Sequence, residues 1–296
     1  MNTGKSQVTA QDPNPGVWPS CPVVDSHVHL FPKRLFEAIS EWFATKKSWS
    51  IPVLPPETVV ERLQDRVAGF VFFPYAHRPG VSTSLNEMAA EWQSRLPEAV
   101  GLGTVHADDE DPAAVVAEAF EMGLQGVKIH CPVQGFSLGD TRLDPVYETL
   151  VSEDAPLIAH ASTHPFYRGD NDLGPTPLSH VLSRFPNLRI CIPHLGLFET
   201  AEFLEIANRY DNVYFDTAVA LGSSTHDLID VRDGDIPRKR LREISDQVMF
   251  GTDYPIRPQN YEAAFRGITE IFPNQKKDVF FRNAQDFFDA SFGIQA

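Results

Sequence analysis

Long apolar runs are missing from this chain. No window approaches the ~20 consecutive apolar residues of a membrane span, and residues 1–20, polar and rich in Pro and Gly, hold nothing that would serve as a signal peptide. Basic residues are scarce too: 25 Lys and Arg stand against 40 Asp and Glu, a formal net charge of −15. That balance argues against nucleic-acid binding, which demands a basic surface, and solubility alone accounts for it. The three cysteines, Cys21, Cys131 and Cys191, are distant and odd in number. They make no disulfide framework and fit a reducing cytoplasm. Internal repeats and low-complexity tracts are also lacking. The expectation is a cytoplasmic protein with a small-molecule partner, no nucleic acid and no membrane, carrying a flexible arm over 1–20 ahead of one domain over 21–296.

What is present is ample apolar material. At 42% hydrophobic and 22% charged residues, the composition builds a large core. Eight short, β-rich apolar runs recur, near 23–30, 69–73, 99–105, 126–130, 155–160, 188–194, 212–217 and 248–253. Near-continuous apolar runs, rather than alternation, mark strands buried on both faces of a parallel sheet. Helical patterns lie between them. Asp111-Pro112 opens one that closes at Gly123, with an acidic cap and Pro in the first turn. Others run over 31–47, 57–66, 143–152, 177–185, 200–210, 236–244 and 261–272. This alternation predicts a (β/α)8 TIM barrel of the α/β class, and 296 residues is a fitting length. An open doubly wound sheet is disfavoured, because no Gly-rich phosphate loop follows the first strand. A last pattern, 277–292, is rich in Phe; it is expected to pack under or beside the barrel and to offer a surface for a homo-oligomer.

The polar residues fall at one end of these runs. In Asp25-Ser26-His27-Val28-His29, alternation points both imidazoles the same way and Val28 the other. Two converging imidazoles are half of a zinc-type site, although a strand with two satisfied histidines reads the same. Lys128, His160, His194 and Asp253 sit at the ends of later runs, where barrel enzymes build their active sites. His130 points inward with Lys128. Asp25 is placed inside the barrel below His27, where it orients a ligand by hydrogen bonding. His106, His164, Tyr75, Arg78 and Arg168 are rim residues for substrate contact, each equally readable as structural.

Taken together, Asp25-Ser26-His27-Val28-His29, Gly126-Val127-Lys128-Ile129-His130, Ile158-Ala159-His160, Pro193-His194-Leu195-Gly196 and Phe250-Gly251-Thr252-Asp253-Tyr254-Pro255 resemble the amidohydrolase superfamily of metal-dependent barrel enzymes. The resemblance is to its single-domain branch, which includes lactonases and aromatic-acid decarboxylases, and it spans about residues 22–290. It implies that His27, His29 and Asp253 hold one metal ion, while His160 and His194 hold a second or act directly in catalysis. Lys128 stands where binuclear members carry a carbamylated lysine bridging two ions; its other reading is an ammonium that binds substrate or pairs with Asp253. Zn is the favoured ion, with Mn, Fe or Co compatible with N/O ligands.

The function this implies is hydrolysis of a small ester, lactone or amide, with Asp253 taking a proton from the attacking water and His194 moving protons or polarising a carbonyl. The alternative is a metal-dependent decarboxylase of an aromatic or unsaturated acid on the same rim. A non-catalytic binding protein would lack some of these ligands, whereas every position is filled.

Overall fold

The computed structural model describes residues 18–47, 50–163, 172–221, 237–256 and 261–293. Eight strand positions follow one another: β1 (Val24–His29), β2 (Gly69–Phe73), β3 (Ala99–Gly101 and Gly103–Thr104), β4 (Val127–His130), β5 (Leu157–His160), β6 (Ile190–Ile192), β7 (Val213–Asp216) and β8 (Val248–Met249). Each pairs in parallel with the next. β3 is broken at Leu102: the Leu102 amide still donates to Phe72 O (2.9 Å), while the Gly103 amide turns to Gly126 O (2.9 Å). The ring closes between β8 and β1. Ser26 N donates to Phe250 O (2.8 Å), Asp253 N to His27 O (2.9 Å) and His29 N to Tyr254 O (2.7 Å). This is the expected α/β barrel.

The helices between the strands follow the predicted patterns to within a few residues. Pro112–Glu121 is capped by Asp111, whose side chain accepts from Ala114 N, and Gly123 takes the left-handed turn after it (φ 92°). One long helix was not anticipated. Ser82–Gln93 lies between β2 and β3 and buries only Ser82, Leu85, Asn86, Ala89 and Trp92, so its apolar stripe is too thin and polar to stand out in sequence. The arm is outside the described residues up to position 17, as are most of 163–176 and of 218–235. At its inner end Trp18 stacks on Tyr261 (ring centroids 5.7 Å apart). Among the described residues no helix is long and apolar enough to cross a membrane.

Alternation in β1 is interrupted. Asp25 pairs with Phe70 but Val28 with Phe72, so three residues of β1 advance against two of β2. This is a β-bulge. Its effect shows in the packing. Val24 joins the barrel interior with Val71, Val100, Ile158 and Met249, whereas Val28 packs outside it with Leu63, Phe70 and Phe72. Four residues apart, the two valines would share a face in an unbroken strand. The bulge is therefore what turns His27 and His29 inward when Val24 is already inward. It also corrects the placement of Asp25, which lies not beneath His27 inside the barrel but at the seam with β8.

The Phe-rich tail packs under the barrel as expected, but its phenyl rings are buried there and not exposed. Phe281, Phe287, Phe288 and Phe292 are buried and close the lower end of the barrel against Val24, Val71, Val100, Ile158, Cys191 and Met249. They offer no surface for association, because the barrel interior consumes them. Among the described residues Phe198, 44% exposed, is the large hydrophobic side chain left at the surface. Phe287→Ala is expected to cost about 3–5 kcal/mol in urea unfolding while leaving metal binding at the other end of the barrel intact; a loss below 1 kcal/mol would show that the plug is dispensable.

Candidate metal centre

The upper mouth of the barrel gathers a ring of imidazoles. His27 lies with its ring centroid 5.2 Å from His29 and 4.9 Å from His194; His194 is 4.9 Å from His160, and His160 stacks on His130 at 4.2 Å. Phe73 at the end of β2 packs edge-on against both His27 and His29. His29 stacks flat on Phe31 and meets Tyr75 at right angles. All five histidines are buried.

Three donor atoms make the tightest group. His27 Nε2 and His29 Nε2 are 3.3 Å apart, and Asp253 Oδ1 is 3.4 Å from the first and 3.1 Å from the second. A tetrahedral zinc ion with ligands at 2.0–2.1 Å holds them about 3.3 Å from one another, so the triangle has the size of one face of such a site. Its electrostatics agree. Asp216 Oδ2 lies 2.7 Å from His27 Nδ1, and this carboxylate keeps the Nδ1 proton in place. The Nε2 lone pair of His27 then faces the Asp253 carboxylate, an arrangement that needs a positive charge between them. Without an ion, a proton takes that part. Burial disfavours charge on His27, yet Asp216 and Asp253 outweigh it and raise its pKa.

The remaining titratable groups are set by burial against these charges. Burial would raise the Asp253 carboxyl, but the bonds from His27 and His29 hold it well below the ordinary range. Burial brings His29 down to about 4, against a smaller pull from Asp253. It brings His194 down to about 4 as well, helped by the neighbouring His27. Lys128 is completely buried, its ammonium 4.8 Å above the Phe73 ring without a hydrogen-bond partner among the described residues. Burial brings it down to about 8 despite Asp216 and Asp253 nearby.

Backbone strain accompanies the site. After β6 the chain enters Pro193–Glu199 with φ positive at His194 (59°), Leu195 (53°), Gly196 and Leu197, and Asp253 after β8 has φ 65°. For non-glycine residues each such conformation costs on the order of 1–3 kcal/mol, and it persists where surrounding contacts enforce it. Asp216 supplies part of that enforcement: its Oδ1 accepts from His194 N and from Ala218 N, both at 3.0 Å. His194 Nδ1 is tied to Ala218 O at 3.0 Å. Gly251 serves the same packing, since a Cβ there would sit 2.9 Å from the His27 Cβ and 3.3 Å from that of Asp216.

Of the six candidate ligands, His27, His29 and Asp253 come together as one trio. His194 joins a second trio with His27 and Asp216; these are the trios of His, Cys, Asp and Glu donors within 4.8 Å of one another among the described residues. Lys128 and His160 line the same mouth. His130 stacks on His160 and ends β4 as the cap of the turn Cys131–Gln134, accepting from Val133 N. His106 accepts from Asp108 N. His164 and Arg168 lie outside the described residues. Asp216 was missed, although it ends β7 as the other polar residues end their strands.

The chain belongs to the amidohydrolase family: the family model described as amidohydrolase matches residues 24–290. Solved structures show the same fold. An uncharacterized TIM-barrel protein from Bordetella bronchiseptica is 18% identical, with a TM-score of 0.70 over 90% of this chain and 98% of its own. A 5-carboxyvanillate decarboxylase from Novosphingobium aromaticivorans, solved with manganese and 4-hydroxy-3-methoxy-5-nitrobenzoic acid, is 17% identical (TM-score 0.63; 91% and 96% covered). A dihydroorotase from Campylobacter jejuni is 16% identical (TM-score 0.57; 92% and 84% covered). No curated protein sequence matches the chain.

Two outcomes follow from this geometry. Asp216→Asn should lower divalent-metal affinity about 10- to 100-fold, read by chelator competition; an unchanged affinity would remove Asp216 from the site. In the metal-free protein the His194 ring should titrate near pH 4 by NMR. Because an unfolded histidine takes up its proton near 6.5, this ring contributes stability that is lost as pH falls from about 6.5 towards 4. A midpoint near 6.5 would show that burial does not govern the charge of this ring.

Proposed function

We propose that the protein is a metal-dependent hydrolase of a small ester, lactone or amide. The observation that carries the proposal is the triangle of His27 Nε2, His29 Nε2 and Asp253 Oδ1, with Asp216 fixing the tautomer that aims a lone pair into it. A divalent cation bound there would act as a Lewis acid on a carbonyl and bring the pKa of water from 15.7 to about 7. Zinc is the ion we infer from the size and chemistry of the donor set.

The chain's own groups complete the chemistry. Asp253 is ionised at neutral pH and is the proton acceptor for the attacking water; it returns that proton to the leaving group. His194, neutral and donating its Nδ1 proton to Ala218 O, keeps Nε2 as a lone pair that accepts a proton during turnover or holds a second ion. Lys128, with its pKa brought down to about 8, keeps a fraction of free amine at neutral pH. That amine can add carbon dioxide and release a proton, giving an anionic oxygen ligand for a second ion shared with His160 and His194. Two metal ions per chain, falling to one when bicarbonate is excluded, would bear this out.

A second reading is decarboxylation of an aromatic or unsaturated acid. It is favoured by the aromatic wall of Phe31 and Tyr75 beside His29 and by the likeness to a decarboxylase fold. We rank it second because the ionised Asp253 beside the triangle suits a base that takes a proton from water.

Asp253→Asn should leave the fold in place and lower turnover by at least about 100-fold, as expected when a general base is removed; normal turnover would reassign the base. Reaction in 18O-labelled water should place one labelled oxygen in the product. Release of carbon dioxide with no label incorporated would replace the hydrolase reading with the decarboxylase one.

A further inference from the structure

Asp25 is completely buried, carries no metal in the reading above, and is bonded to two segments at once. Its Oδ1 accepts from its own strand, at His27 N (3.2 Å), and from the segment that follows β8, at Thr252 N (3.0 Å). Its Oδ2 accepts from the Thr252 hydroxyl. These bonds fall where regular pairing fails. The bulge between Asp25 and Val28 takes the His27 amide off the β1–β2 ladder. Across the seam, the Thr252 amide would meet a β1 carbonyl in an even parallel ladder, but it meets the Asp25 carboxylate instead. One side chain thus satisfies two amides that the bulge displaces, and a buried amide left unpaired costs about 1–3 kcal/mol.

We propose that Asp25 is the positioning residue of the metal centre: its carboxylate holds the β1 bulge and clamps it to Thr252, so that His27 and Asp253 face each other at ligand spacing. The inference rests on the metal-site reading and deepens it. Its reach follows from the alternation rule. Without the extra residue in β1, an inward Val24 would put His27 and His29 on the outer face, because a one-residue shift reverses every side chain beyond it. The ligand beyond β8 is held through its neighbour, since Asp253 directly follows Thr252. Asparagine matches the aspartate in shape but presents an NH2 to one of the donors that Asp25 accepts, so it cannot keep all three bonds.

The test uses the full-length metal-free protein and cobalt(II) as the probe, with affinity from chelator competition, the cobalt absorption bands as a report on coordination, and thermal unfolding of the metal-free form. Asp25→Asn should weaken cobalt binding about 10- to 100-fold and alter the bands. Thr252→Val should weaken it several-fold, and Thr252→Ser, which keeps the hydroxyl, should restore it. If Asp25→Asn fails to fold, the Thr252 pair decides alone. Variants that lose thermal stability yet bind cobalt with wild-type affinity and bands would show that Asp25 merely closes the barrel, and would overturn the proposal. Wild-type protein that takes up no cobalt would overturn it together with the metal reading, which separates the two failures.

Discussion

The structure depends on the contact between the Asp216 carboxylate and His27 Nδ1, 2.7 Å apart in the buried mouth of the barrel. A neutral imidazole has one donor and one acceptor nitrogen, and whichever partner takes the proton decides which way the lone pair points. Here an ionised carboxylate at the end of β7 takes the Nδ1 side, so the Nε2 side is left as an acceptor beside a second carboxylate. Burial would by itself raise the Asp216 carboxyl; the charge and hydrogen bond of His27 and the bond from His194 N more than reverse that. The same carboxylate props up the left-handed backbone of His194. Two strands that supply candidate ligands are thus braced by a third.

Most of the fold was legible in the sequence because a parallel barrel repeats one pattern eight times. Runs such as Phe70-Val71-Phe72-Phe73 and Leu157-Ile158-Ala159 are buried on both faces, and no other setting explains so many of them at regular intervals. The helix Ser82–Gln93 was not legible, because its buried stripe includes Ser82 and Asn86 and its propensity is ordinary. The tail was expected under or beside the barrel, but its exposure was misjudged for a different reason. A Phe-rich segment looks alike whether it faces solvent, a partner or the open end of a barrel, and only the closure of the sheet shows that this end needed filling.

The site was legible to the extent that its residues end strands. His27, His29 and Asp253 announced themselves by position, and the structure places their donor atoms in one triangle. Asp216 met the same criterion but sits in a run that reads as ordinary strand, Val213-Tyr214-Phe215-Asp216. The bulge in β1 could not be foreseen at all. A bulge is a relation between two strands, so it leaves no mark in the residues of one, and strict alternation misplaced Asp25 as a result. Local strain is likewise invisible in sequence: His194 and Asp253 adopt left-handed backbones that are uncommon outside glycine, held there by hydrogen bonds from distant segments.

The central claim is that three side chains from opposite ends of the chain surround a single cation. The most direct measurement is anomalous diffraction from crystals grown with zinc. The account predicts a peak about 2.0–2.2 Å from His27 Nε2, His29 Nε2 and an Asp253 carboxylate oxygen. A zinc-grown crystal with no peak inside that triangle, or with the ion held elsewhere, would contradict it.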